Sequence, residues 1–290
     1  MMKNLTRRQF LNRSALGIGS VVAASQIPAG LYANPTAKLV KMPLGFQVWT
    51  IKDQLIKDFA GTLKKMAGLG YESVEMCSPP GYESSGFGPL MKIKAGEMKR
   101  IINDAGMQFE STHYTMNELR NSLQERIAFA AESGQKQMIL SSFGLPRGAT
   151  MNDWMKAADE LNEIGAKTKS AGIQMGFHNH HTEFEMIDGV LIYDELLKRF
   201  DPDLVKMQFQ VAVINIGFVA ADYFNKYPGR FISAHLADWS FLENKSTPLG
   251  KGIVDWNGFF AAVKKGGVKN IFVEMDPETF AESATFIHNL

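Results

Sequence analysis

A glycine placed between an amphipathic segment and a short apolar run recurs along this chain, at Gly70, Gly106, Gly134 and Gly172, then at Gly229 and Gly266-Gly267. Glycine accepts the left-handed backbone that ends a helix, so each junction reads as helix, stop, strand. The apolar runs predict eight strands, over residues 45–50, 73–77, 107–114, 137–142, 172–179, 205–211, 230–237 and 270–275. Helical spacing of apolar residues predicts helices over 55–69, 98–105, 118–132, 154–169, 220–226 and 257–265, and the residues after the last strand suffice for a short eighth helix. Strands alternating with helices pair in parallel through right-handed crossovers, and eight such units close most naturally into a (β/α)8 barrel. A doubly wound open sheet would place a glycine-rich phosphate loop after the first strand, whereas Thr50-Ile51-Lys52-Asp53-Gln54 contains no glycine.

The 290 residues lie within the range of one such barrel, and no internal linker is visible after the first 33. Those 33 stand apart. Thr6-Arg7-Arg8-Gln9-Phe10-Leu11 precedes a weakly apolar stretch and a small-residue exit at Leu31-Tyr32-Ala33. This order resembles a twin-arginine export signal and predicts a periplasmic mature protein made of residues 34–290 as a single domain. The one cysteine, Cys77, cannot form an intramolecular disulfide. No later apolar run approaches the roughly 20 residues of a membrane span. Lys and Arg number 31 against 30 Asp and Glu, with no basic run after the leader, which argues against nucleic acid as a partner and for a small, weakly charged ligand.

In a barrel the site lies at the C-terminal strand ends. Glu75 falls there on the second strand, His113 on the third, His178 and His180 on the fifth and Gln210 on the sixth. His235 and Asp238 fall there on the seventh, Glu274 and Asp276 on the eighth. Five of the six histidines occupy predicted strand ends, which points to a site rather than to scattered core residues. Alternation along a strand puts His178 and His180 on one face, where two imidazoles can grip a metal. Glu75, His113 and His180 are candidate acids or bases by residue type.

His178-Asn179-His180, His235-Leu236-Ala237-Asp238 and Val273-Glu274-Met275-Asp276, one motif per strand in this order, resemble the sugar phosphate isomerase/epimerase family of xylose-isomerase-like barrels. The resemblance extends over the mature chain and implies one divalent ion held by four side chains from strands five to eight, with proton transfer beside a sugar carbonyl. Carried over by position, the ligands are His178, Gln210, His235 and Glu274, with Glu274 also catalytic. Trp49, Trp239, Asp238 and Asp276 are then candidates for the sugar itself. His178 and Gln210 stand where relatives carry a glutamate and an aspartate. The four ligands therefore supply about one negative charge and leave the ion net positive, and their nitrogen-rich set favours zinc, cobalt, nickel or iron over magnesium and calcium, with manganese also a candidate. A missing strand-five glutamate also removes one of the two bases an epimerase uses. The expected activity is an isomerase/epimerase-like reaction or a related lyase/hydratase step on a keto-sugar or its glycoside; a non-catalytic sugar-binding barrel is the alternative.

Overall fold

The computed structural model describes residues 39–290, so the expected leader lies outside the described residues. Eight parallel strands are formed: β1 (Leu44–Gln47), β2 (Ser73–Cys77), β3 (Gln108–Tyr114), β4 (Gln137–Leu140), β5 (Gln174–His178), β6 (Val205–Gln210), β7 (Phe231–Leu236) and β8 (Asn270–Val273). Each hydrogen-bonds its sequence neighbours, and β1 also pairs with β8, closing the (β/α)8 barrel expected from the alternation. Several strands end a residue or more before the predicted limit, where the chain has already turned into the rim loops. Gly134 (φ 80°) and Gly267 (φ 92°) end the helices Met116–Ser133 and Trp256–Gly266 in left-handed conformation, as their positions predicted.

The helices depart from expectation in two places. Residues 55–69 are not one helix: Asp58 is extended, and its carboxylate accepts the Gly61 N–H at 2.9 Å, so it ends Lys52–Lys57 and caps Phe59–Gly68. A helix also forms at Ile192–Arg199, where the sequence reading placed none. Its buried Ile192, Tyr193, Leu196 and Leu197 have helical spacing, but they follow a small hairpin (Met186–Ile187 with Val190–Leu191) that masks the period. Among the described residues no helix is long and apolar enough to cross a membrane.

Strand alternation sorts the residues between two environments. One face of each strand meets the helices in an apolar layer that includes Val74, Met76, Phe177, Phe209 and Phe231, each at most 1% exposed. The other face lines the barrel, and here it is polar: Glu75 reaches Gln208 across the interior, on a strand that is not its neighbour. The interior is also narrow. A Cβ on Gly45 would collide with the Phe272 ring and the Ser73 hydroxyl, so glycine there lets β1 and β8 approach.

Candidate active site

Glu75 is the centre of a buried polar network. It is fully buried, and its Oε1 accepts from the Ser111 hydroxyl at 2.6 Å and the Gln208 amide at 2.8 Å. Its Oε2 faces His113 Nε2 at 3.1 Å and is hydrogen-bonded to His235 Nε2. Gln208 closes the circuit, its Oε1 lying 2.7 Å from His113 Nε2 and its Nε2 donating to Ser233 Oγ at 2.9 Å. Two register shifts in the barrel fall beside these residues, between Val74 and Glu75 and between Met207 and Gln208. Such irregularities re-aim side chains, and here they bring a carboxylate and an amide from opposite walls into contact.

His235 is held between two carboxylates, with Glu75 at Nε2 and Glu274 Oε2 at 2.9 Å from Nδ1. Burial alone would lower its pKa; the two acids outweigh burial and raise it to about 9. Burial would raise Glu75 and Glu274, yet His113 and His235 hold Glu75 well below the usual carboxylate range, and His235 lowers Glu274. His178 differs. Burial and the neighbouring His235 push its pKa well below the ordinary value, so it is a neutral imidazole.

His178 also supplies the test of whether these residues suit a cation. It is 1% exposed, and its Nδ1 has no hydrogen-bond partner among the described residues. A buried nitrogen left unpaired costs free energy, and a metal ion is a partner that would satisfy it. Around it, His113, His178 and His235 can bring three ring nitrogens within 4.8 Å of one another. Gln210 Nε2 donates to Glu274 Oε2 at 2.7 Å, which places Gln210, Glu274 and His235 side by side; the atom Gln210 would offer an ion is Oε1, which accepts the Ala212 N–H at 3.2 Å. The residues fit a divalent ion. The Nε2 atoms of His113 and His235 are both turned to Glu75, so a ligand role for His235 would fall to Nδ1, which meets Glu274 Oε2 at 2.9 Å and would exchange that contact for the ion.

Above the network lies a cavity of about 230 Å³ lined by Gln47, Trp49, Cys77, Tyr82, His113, His178, His180, Glu274 and the two serines Ser141 and Ser142. Trp49 stands at its edge, 39% exposed and braced by Tyr82 and Phe87. His180 is exposed there too, its ring edge-on to His178 with centroids 4.8 Å apart. Desolvation by the surrounding protein, helped by the nearby His113 and His235, outweighs the opposing pull of Glu274 and lowers its pKa to about 4, leaving it neutral at pH 7. Its backbone N–H donates at 2.7 Å to Glu183, a carboxyl raised by burial to about 7.

Other expected site residues fall elsewhere. Glu75 does not line the cavity; it acts on the histidines from beneath, which corrects its reading as a proton-transfer group. Its ionised carboxylate adds a second negative charge beside His235, outside the four expected ligands. Asp238, read as sugar-binding, is 2% exposed, and both its oxygens are taken by N–H donors from Trp239, Gly250, Gly252, Val254 and the Trp256 indole. It organises the loop after β7 and has no capacity left for a ligand. Trp239 sits in the hairpin Asp238–Ser240 with Lys245–Thr247, away from the cavity lining, and Asp276 is an exposed residue ahead of a short 3-10 turn. Gln208, Ser111, Ser233, Gln47 and Asn179 were not singled out from sequence. The available sign was a polar residue at alternate positions of an apolar run, as in Gln208 and Gln210 of Val-Lys-Met-Gln-Phe-Gln. Asn179, fully buried, accepts the Gln210 N–H at 3.1 Å and so sets where Gln210 leaves its strand.

A family model described as a xylose isomerase-like TIM barrel matches residues 63–290. Among solved structures, a sugar phosphate isomerase/epimerase from Parabacteroides distasonis ATCC 8503 matches with a TM-score of 0.71 at 23% identity, over 85% of this chain and 94% of that one. The probable 3-DHS dehydratase AsbF of Bacillus anthracis gives 0.65 at 11% identity, over 85% and 99%. IOLI protein, solved with a bound zinc atom, gives 0.60 at 16% identity, over 86% and 95%. At these identities the likeness is one of fold. Comparison with curated proteins gives no match.

Proposed function

This chain belongs to the xylose isomerase-like TIM barrel family, and from that premise we propose that it is a metal-dependent enzyme that moves a proton at the carbon beside the carbonyl of a sugar or keto-sugar. The reaction is an isomerase/epimerase-like step or the related loss or addition of a group at the neighbouring carbon. The observation that carries this reading is a neutral imidazole, His180, on the wall of a cavity whose floor holds His178, His113 and Glu274. Solved relatives of the fold that are described as an isomerase/epimerase, a dehydratase and a zinc-bound protein support it.

A divalent ion held by His178, Gln210, His235 and Glu274 would polarise the substrate carbonyl and stabilise the negative charge that grows when the adjacent proton leaves. The chain's own residues do the rest. A ring nitrogen of His180 takes the proton, and Glu183 fixes the backbone that carries that ring. Trp49, braced by Tyr82 and Phe87, offers the apolar wall for a sugar face. Glu75 sets the orientation of His113 and His235 through their Nε2 atoms. Cys77 is not a nucleophile here, because burial drives its thiol pKa upward and keeps it protonated.

A substrate deuterated beside its carbonyl is expected to lose the label to water during turnover, and chelation is expected to stop the loss. Label retained through turnover, or loss indifferent to chelator, would sink the proposal. The second reading, a sugar-binding barrel without turnover, has one observation in its favour. The Gln210 amide donates to Glu274, where a carboxylate would need a cation between them. Gln210→Asp separates the two: on the enzyme reading it adds a charge to the ligand set, tightens metal binding about tenfold or more and shifts preference toward manganese, as elemental analysis and metal titration would report.

Export is part of the same proposal. With Arg7 and Arg8 both replaced by lysine, full-length protein should remain in the cytoplasm; mature protein still reaching the periplasm would mean the leader is of another kind.

A further inference from the structure

Beside the cavity at the barrel mouth lies a larger groove of about 720 Å³, and Ser142 and His180 line both. The groove runs between the loop after β4 and the turn after β5, with Leu145 and Arg147 on one side, Glu185 and Ile187 on the other and Trp154 as a buried floor. The inner cavity, at about 230 Å³, is below the range of pockets that receive a drug-sized ligand, whereas the groove falls well inside it. A single small ring fills the inner space and leaves the groove to water.

We propose that the groove is a subsite for a second unit covalently joined to the reacting ring, so that the substrate is a glycoside or disaccharide carrying a keto group on the reacting ring rather than a free monosaccharide. This rests on the function proposed above for the inner cavity. The junction is the argument: Ser142 and His180 line both spaces, so a group attached to a ring in the inner cavity on that side meets the groove where it begins. Its chemistry also suits a second sugar or an aromatic aglycone. Leu145, Ile187 and Trp154 give apolar surface for a ring face. Arg147, exposed and without an ion pair among the described residues, and Glu185 give a donor and an acceptor for hydroxyls at its edges.

The test is calorimetric titration of the metal-loaded mature protein with methyl glycosides, phenyl glycosides and disaccharides of glucose and galactose. Keto derivatives of the same glycosides, oxidised at one ring hydroxyl and carrying deuterium on the carbon beside the keto group, are followed in parallel for label loss. Phenyl glycosides or disaccharides should bind at least about tenfold tighter than methyl glycosides, the scale expected for one filled apolar subsite. Ile187→Trp, which narrows the groove beyond the reacting ring, should remove that advantage and leave methyl glycoside binding unchanged. Arg147→Ala, at an exposed position that the fold does not need, should reduce it in part. Equal affinity for short and long sugars, or equal weakening of both by Ile187→Trp, overturns the subsite. Length-dependent binding without label loss keeps the subsite and removes the catalytic reading, and binding of no sugar removes both.

Discussion

Glutamine in place of Glu75 is expected to destabilise the metal-free protein by roughly 3–5 kcal/mol, the usual cost of removing one partner from a buried ionic pair. Glu75 is fully buried with four polar partners, so an isosteric amide keeps the volume but meets His113 and His235 with the wrong charge. The loss has a pH signature. The His235 pKa rises in the fold from 6.5 to about 9, so its proton contributes stability that is full below about pH 6.5 and is lost as the pH climbs through 9. Glu75 is depressed from 4.5, so its contribution is present above that value and is lost as the pH falls further. Wild-type protein in chelator should therefore weaken between pH 6.5 and 9.5. Glu75→Gln should start lower and lose most of that alkaline slope. Denaturant midpoints at pH 6 and pH 9.5 measure both quantities. A variant as stable as wild type at pH 6 would show that the network is not the ionic core described here.

Replacing His180 by glutamine should slow label loss from a deuterated substrate by about 10²–10⁴-fold, the range supplied by a positioned base, while leaving the unfolding midpoint within experimental scatter. The imidazole is exposed at the cavity edge, and the contact that fixes its residue is made by the backbone N–H, which glutamine retains. Added imidazole should restore part of the rate. His181→Gln is the matched control. Its ring meets Asn215 at 2.8 Å and does not line the cavity, so exchange should continue at the wild-type rate. Near-normal exchange in the His180 variant would transfer the role to His113, the other imidazole on the cavity wall that is not assigned to the ion.

Export, the ligand set and the identity of the base all rest on short motifs, whereas the barrel rests on a pattern that repeats along the chain. That difference decided how much could be read in advance. Helix, glycine and strand recur often enough that an error at one boundary is outvoted by the others, so the eight-stranded closure was legible although residues 55–69 hid a break at Asp58. The strand-end rule likewise placed His113, His178, His180 and Glu274 around one cavity, because alternation and strand direction are local properties of the backbone.

What the local pattern could not carry was which polar atoms meet. Glu75 and His113 looked alike from sequence, each a titratable residue near the end of a strand. Only the register shifts beside Glu75 and Gln208 send that carboxylate inward beneath two histidines. Asp238 stood in a motif with His235, but a tight loop brings five N–H donors onto it from residues up to Trp256, and no local reading can sum contacts made at that range. The groove beside His180 is likewise built by two loops that are distant in sequence. By itself, then, the sequence determined the closed barrel and the end at which its chemistry collects, since both follow from periodicity. The partners of Glu75, the occupation of Asp238 and the shared wall of the two cavities were decided by tertiary structure alone, because hydrogen bonds and shared walls depend on distances that the chain acquires only when the barrel closes.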